Sequence, residues 1–218
     1  MAKSNKGSER RQLLMENAAR SLYNKGYKDT SLRDLAALSG DNVAIFKYYF
    51  GGKYELAFAV YADWVNRMFD QMQEACALDA RDSFILFNLL ELRLCLEDPG
   101  FMRLFYELSQ EPAFSNSMQN NFVGHIQTHY PEFSPQRAIL LALSIVPIKS
   151  AIVTYAIDRE AFSMNMYADI SEETFLSYYL EQLLATLQHP RSDISRFLTL
   201  AASLQFFLDE QLHLCLRR

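Results

Sequence analysis

Glycine and proline are scarce in this chain, at 7 and 6 of 218 residues. With so few breakers beside long apolar periodicities, the sequence argues for an all-α protein. Cysteine is scarcer still. Cys76, Cys95 and Cys215 are odd in number and far apart, which suggests neither a disulfide framework nor a metal cluster. They read as small buried hydrophobes in a reducing cytosol. The start, MAKSNKGSERRQ, lacks the apolar core of a cleavable signal. Phosphate-cradling glycine loops, a Gly-x-Ser-x-Gly elbow and paired metal motifs are all missing. The many carboxylates fall on solvated faces, so neither catalysis nor a cofactor is expected.

Half of the residues are hydrophobic, including 16 Phe and 12 Tyr. A chain of this length can bury a real core in one or two domains. The longest apolar run, Ala138 to Ile157, carries Lys149 in its middle and Pro147 beside it. A bilayer would penalise that lysine by about 2.5–3.5 kcal/mol, so the run reads as a buried helix of a soluble domain, with no membrane partner. Charge is unevenly placed. Residues 1–53 hold ten Lys/Arg and five Asp/Glu, or +5; the remaining 11 basic and 21 acidic residues give −10, and the two sum to −5. A basic head on an acidic body suits a protein that meets phosphates at one end.

Within that head, Thr30 to Lys53 reads TSLRDLAALSGDNVAIFKYYFGGK. Thr30 or Ser31 can cap a first short helix, and Asp34 stands where a capping-box acid closes back onto Ser31. Leu32, Leu35 and Ala36 fall on one face, and Ser39-Gly40 ends the helix. Asp41 or Asn42 can cap a second helix with Val43, Phe46 and Phe50 on its apolar side. Its other side offers Asn42, Ala44, Ile45, Lys47 and Tyr48. So short a helix cannot bury both sides, which leaves one free to enter a DNA major groove. The pattern is a helix-turn-helix.

The same stretch resembles the N-terminal signature of the TetR family of bacterial transcriptional regulators. Leu35-Ala36, Ser39-Gly40, Tyr49-Phe50, Lys53 and Leu56 carry the likeness, with Ala18-Ala19, Leu22-Tyr23 and Gly26 upstream. It covers about the first quarter of the chain. Against the family pattern, Asp41 replaces a buried Val, Asn42 a capping Ser, Ala44 a Gly and Lys47 a Tyr. Asp41 either starts the helix one residue early, with Val43 taking the buried place, or sets an anion near the DNA backbone.

The resemblance implies a helix-turn-helix domain over residues 1–53 and a helical effector-binding and dimerisation domain over 54–218. It implies a cytoplasmic regulator, a repressor released from a near-palindromic operator by a small, largely apolar effector. Arg10, Arg11, Thr30, Lys47, Tyr49 and Lys53 are the expected backbone contacts, and Asn42, Val43, Ile45 and Tyr48 the base readers. The alternative, supported by Asp41, is a dimer of the same frame that no longer reads DNA.

A mobile arm is expected over residues 1–9, then helices from about Arg10 to Lys25, Gly52 to Ala77, Ser83 to Glu97, Phe101 to Gln110, Ser115 to His129 and Pro135 to Ile157. Pro147 should kink the last of these. Leu56, Val60, Trp64 and Phe69 mark the inner face of the helix after Gly52, which joins head to body. A loop over Arg159 to Ile170 precedes helices from Ser171 to Gln188 and Asp193 to Leu216. Leu176, Leu180, Leu183 and Leu187 on the first of these, and Phe197, Leu204 and Leu208 on the second, suggest homodimerisation through a four-helix bundle. The resemblance implies a small-molecule pocket in the body, with Trp64, Met68, Phe87, Phe105, Phe122, Lys149, Ile152 and Tyr155 as candidates. Lys149 needs a carboxylate partner or an acidic effector. His125 and His129 stand one turn apart, with Glu132 the nearest further metal donor.

Overall fold

The computed structural model describes residues 2–157 and 170–217. Its elements are α1 (Ala2–Lys25), α2 (Leu32–Ser39), α3 (Val43–Phe50), α4 (Lys53–Ala75), α5 (Ala80–Glu97), α6 (Pro99–Ser109), α7 (Pro112–His129), α8 (Pro135–Ile157), α9 (Glu172–Leu187), α10 (Asp193–Ser203), β1 (Gln205–Leu208) and β2 (Leu214–Arg217). The architecture is all-α, with one two-stranded antiparallel hairpin added.

Local chemistry sets most boundaries. Asp79, Asp98 and Ser171 each accept the backbone N–H three residues on, satisfying a free donor at the start of α5, α6 and α9. Pro99, Pro112 and Pro135 open their helices, where a missing N–H costs nothing. Pro147 lies within an uninterrupted α8. The first helix starts at Ala2 rather than Arg10, so residues 2–9 are helical and not an arm. A polar segment can extend a helix already nucleated by Leu14, Ala18 and Leu22, because propagation is far easier than initiation. Of the expected 159–170 loop, only Ile170 falls within the described residues.

A larger departure lies after Ser203, where α10 stops and the chain turns into the hairpin. Gln205 to Leu208 alternates, with Phe206 buried between exposed Gln205 and Phe207. Asp209 makes the turn by accepting the N–H groups of Gln211 and His213, each over 2.8 Å. The hairpin is fastened to α4. Gln71 donates to the Leu214 carbonyl and accepts from Leu216 N–H, both at 2.8 Å, as a further strand would. Trp64 Nε1 donates to the Leu212 carbonyl over 2.8 Å.

The expected dimer stripe is also corrected. Leu180, Leu183, Leu187, Phe197 and Leu204 are buried within the chain's own core, while Leu176 and Leu208 are half-buried. The exposed apolar surface lies instead on α8, at Ile139, Leu140, Leu143, Pro147 and Ala151, with Tyr178 of α9. Among the described residues, α8 is the one helix long and apolar enough to cross a bilayer. Only one of its faces is buried, through Ala138, Ala142, Ile145, Lys149, Ile152 and Val153.

Head and body meet closely. Tyr23 donates to Asp98 over 3.1 Å, Arg103 to the Asn24 carbonyl over 2.8 Å, and Lys28 N–H to Glu107 over 2.8 Å. Gly100 lets α6 approach α1, since a Cβ there would lie 2.3 Å from the Tyr23 ring.

Candidate nucleic-acid interface and effector cavity

α2 and α3 are held at the front of the head by their caps. Ser31 accepts from Asp34 N–H, Asn42 accepts from Ala44 N–H over 2.9 Å, and Gly40 takes φ +67° between the helices. Phe46 and Phe50 anchor α3 in the core, with Val43, Ile45 and Tyr49 half-buried. Ala44, Lys47 and Tyr48 face solvent, Tyr48 at 82% exposure. Asn42 is exposed too, but its side-chain oxygen is committed to the cap. Its amide N–H groups alone remain for another partner.

The surrounding cations divide. Arg11 is exposed, its guanidinium 4.8 Å from the centre of the Phe50 ring. Lys53 is half-buried against Tyr27, at 4.4 Å, and donates to the Lys28 carbonyl over 3.2 Å. Arg10 is paired with Asp41. That pairing meets neither expectation for Asp41. Asn42 caps the helix, and the aspartate side chain, only 5% exposed, offers no free anion to a phosphate. Thr30 is corrected outright: it is buried, donates to the Gly26 carbonyl over 2.7 Å and lies 3.1 Å from Ser21 Oγ. It ties the helix-turn-helix to α1 and cannot reach DNA.

In the body, α4 to α9 enclose a cavity of about 320 Å³. Of the expected lining, Phe87, Phe105, Phe122 and Lys149 are there. Trp64 and Met68 are buried elsewhere in α4, Ile152 packs in the core, and Tyr155 meets Phe175 with ring centres 5.5 Å apart. The side chains of the exposed Asn66, Phe69 and Asn121 line its edge, so it opens between α4 and α7. Phe69 therefore belongs at the mouth, not on the inner face of α4, where Met68 and Met72 sit.

One end of the cavity is polar. Lys149 donates to Glu91 and, over 3.0 Å, to Asn88 Oδ1; Tyr61 donates to the other Glu91 oxygen. The Tyr179 hydroxyl donates to Asn88 over 3.4 Å, and Lys149 Nζ lies 5.6 Å from its ring centre. Burial disfavours the ammonium, but the adjoining Glu91 carboxylate outweighs it and holds the Lys149 pKa above its ordinary value. Asn88 and Glu91, three apart in the otherwise apolar run Phe84 to Leu92, were the missed signal for this end.

His125 also lines the cavity, stacked on Phe84 with ring centres 3.8 Å apart. Burial, with smaller contributions from His129 and Arg81, brings its pKa down to about 4. His129 is its neighbour at 4.6 Å, but Glu132 is paired with Arg81. No group of three His, Cys, Asp or Glu that could hold a metal occurs among the described residues.

Residues 14–60 match the sequence model for bacterial regulatory proteins of the tetR family. Comparison with curated proteins gives no match. Solved structures share the fold. A protein from Syntrophomonas wolfei described as a TetR-family transcriptional regulator is similar with TM-score 0.56 and 19% identity, covering 83% of this chain and 96% of that one. A TetR regulator from Streptomyces fradiae gives 0.52 and 16%, covering 92% and 91%. A TetR-family regulator from Pectobacterium atrosepticum gives 0.50 and 20%, covering 84% and 93%.

Proposed function

Starting from a chain whose head and fold are those of TetR-family transcriptional regulators, we propose that it is a cytoplasmic, homodimeric repressor released from a near-palindromic operator by a small-molecule effector. Residues 1–53 form the DNA-binding head and 54–218 the effector-binding and dimerisation body. The observation that carries the reading is the outward side of α3, with Ala44, Lys47 and Tyr48 in solvent, on a head of charge +5 joined to a body of −10. Arg11, Lys47, Tyr49 and Lys53 hold phosphates; Tyr48, Ala44 and the Asn42 amide meet base edges. Two heads are set side by side by the apolar stripe Leu140, Leu143, Pro147 and Ala151 of α8. The effector enters between α4 and α7, and it works only by preferring one position of α4 over another.

Selection from a pool of random duplexes tests this. A near-palindrome should be enriched, its affinity should fall steeply with added salt, and Lys47→Ala should weaken binding to every sequence alike. If no sequence is enriched, the chain is not a DNA reader.

A further inference from the structure

Glu91 and Lys149 are the two charged side chains that line the cavity of the body, among the described residues, and they cancel one another. Both are almost fully buried, at 3% and 8% side-chain exposure. Their hydrogen bonds to Tyr61 and Asn88 leave capacity unspent. An ammonium has three hydrogens, of which Lys149 gives one to Glu91 and one to Asn88. On the cavity wall, His125 Nε2 is buried with no partner. Its imidazole is neutral at pH 7 and adds no charge to the cavity. Phe84, Phe87, Phe105 and Phe122 supply aromatic walls.

We propose that this cavity takes a neutral, largely aromatic molecule with one polar group for the Lys149–Glu91 pair. The inference deepens the effector reading and rests on it. An anion placed here gains Lys149 but meets Glu91, and a cation meets the reverse. Either one brings a third charge into a space where two already balance, and its lost hydration goes uncompensated. A neutral polar group, by contrast, meets this polar end without adding a charge to the pair.

Three probes of one shape decide the point by calorimetry at pH 7 on the full chain: 2-acetylnaphthalene, 2-naphthoate and 2-(aminomethyl)naphthalene, which is a cation. The neutral ketone should bind at least about tenfold more tightly than either ion. Glu91→Gln, which keeps a hydrogen-bond acceptor for Tyr61 but frees the Lys149 charge, should reverse the order in favour of 2-naphthoate. If either ion binds the unaltered chain as tightly as the ketone, charge selection is overturned while the cavity remains an effector site. If no probe binds or raises the melting temperature, the effector reading falls with it. Should Glu91→Gln not fold, the three-probe order on the unaltered chain decides by itself.

Discussion

At position 41 an aspartate stands where the helix-turn-helix pattern places an apolar residue, and Arg10 of the preceding helix neutralises it. No local pattern announces such a pairing, because the two residues are 31 apart. Thr30 was misread for a similar reason. As a helix cap it would face outward, whereas Ser31 takes the cap and frees Thr30 to turn inward onto Gly26 and Ser21. His125 carries the residue-scale prediction. Its pKa lies at about 4 when folded, against 6.5 ordinarily, so the unfolded chain binds more protons between those values. Stability should therefore hold above pH 6.5 and fall as pH drops toward 4. His189, also lowered by burial, acts in the same direction. Urea midpoints measured from pH 7 to 5 should decline, and His125→Gln should flatten that decline. An unchanged slope would assign it to other groups.

Helices announced themselves through caps, prolines and apolar spacing, which are local, and all ten described begin or end close to where those signals stand. The hairpin did not. Ile194, Leu198, Ala201, Leu208 and Leu212 make one apolar stripe, which Phe197, Leu204 and Phe207 widen beyond one helical face, and that excess width was the trace of a change from period 3.6 to period 2. Likewise, half of the effector candidates missed the cavity because helical spacing identifies the inner side of α4 without saying whether it meets core or space. Met68 meets core; Tyr61, two turns earlier on the same face, meets space. The α1–α6 contact offers the test at this scale. Gly100→Ala places a methyl within 2.3 Å of the Tyr23 ring, so α6 must lift from α1. We expect a loss of about 1–3 kcal/mol in chemical unfolding, and partial recovery when Tyr23→Ala is added. Equal losses in the single and double variants would show that the clash is not the cause.

For the whole molecule, charge divides between head and body, and the exposed apolar side of α8 lies in the body. The buried leucines of α9 close the body on itself, which is why a leucine repeat alone could not distinguish an internal seam from a surface between subunits. A doubly substituted α8, Leu140→Glu with Leu143→Glu, should sediment as a monomer where the unaltered chain sediments as a dimer. Helix content should be preserved, since both side chains are more than half exposed, at 63% and 51%. Operator binding should weaken with it, because two heads no longer arrive together. A variant that stays dimeric would move the interface elsewhere.

The hydrogen bond from Trp64 spans 148 positions, and those from Gln71 span 143 and 145. On a ribosome, the helix that links head to body therefore waits for nearly all of the remaining chain before its outer polar groups find their partners. The head's reach is shorter, its bonds to α6 spanning 75 to 79 positions. Since Trp64 is the sole tryptophan, its fluorescence should report when the hairpin docks on α4.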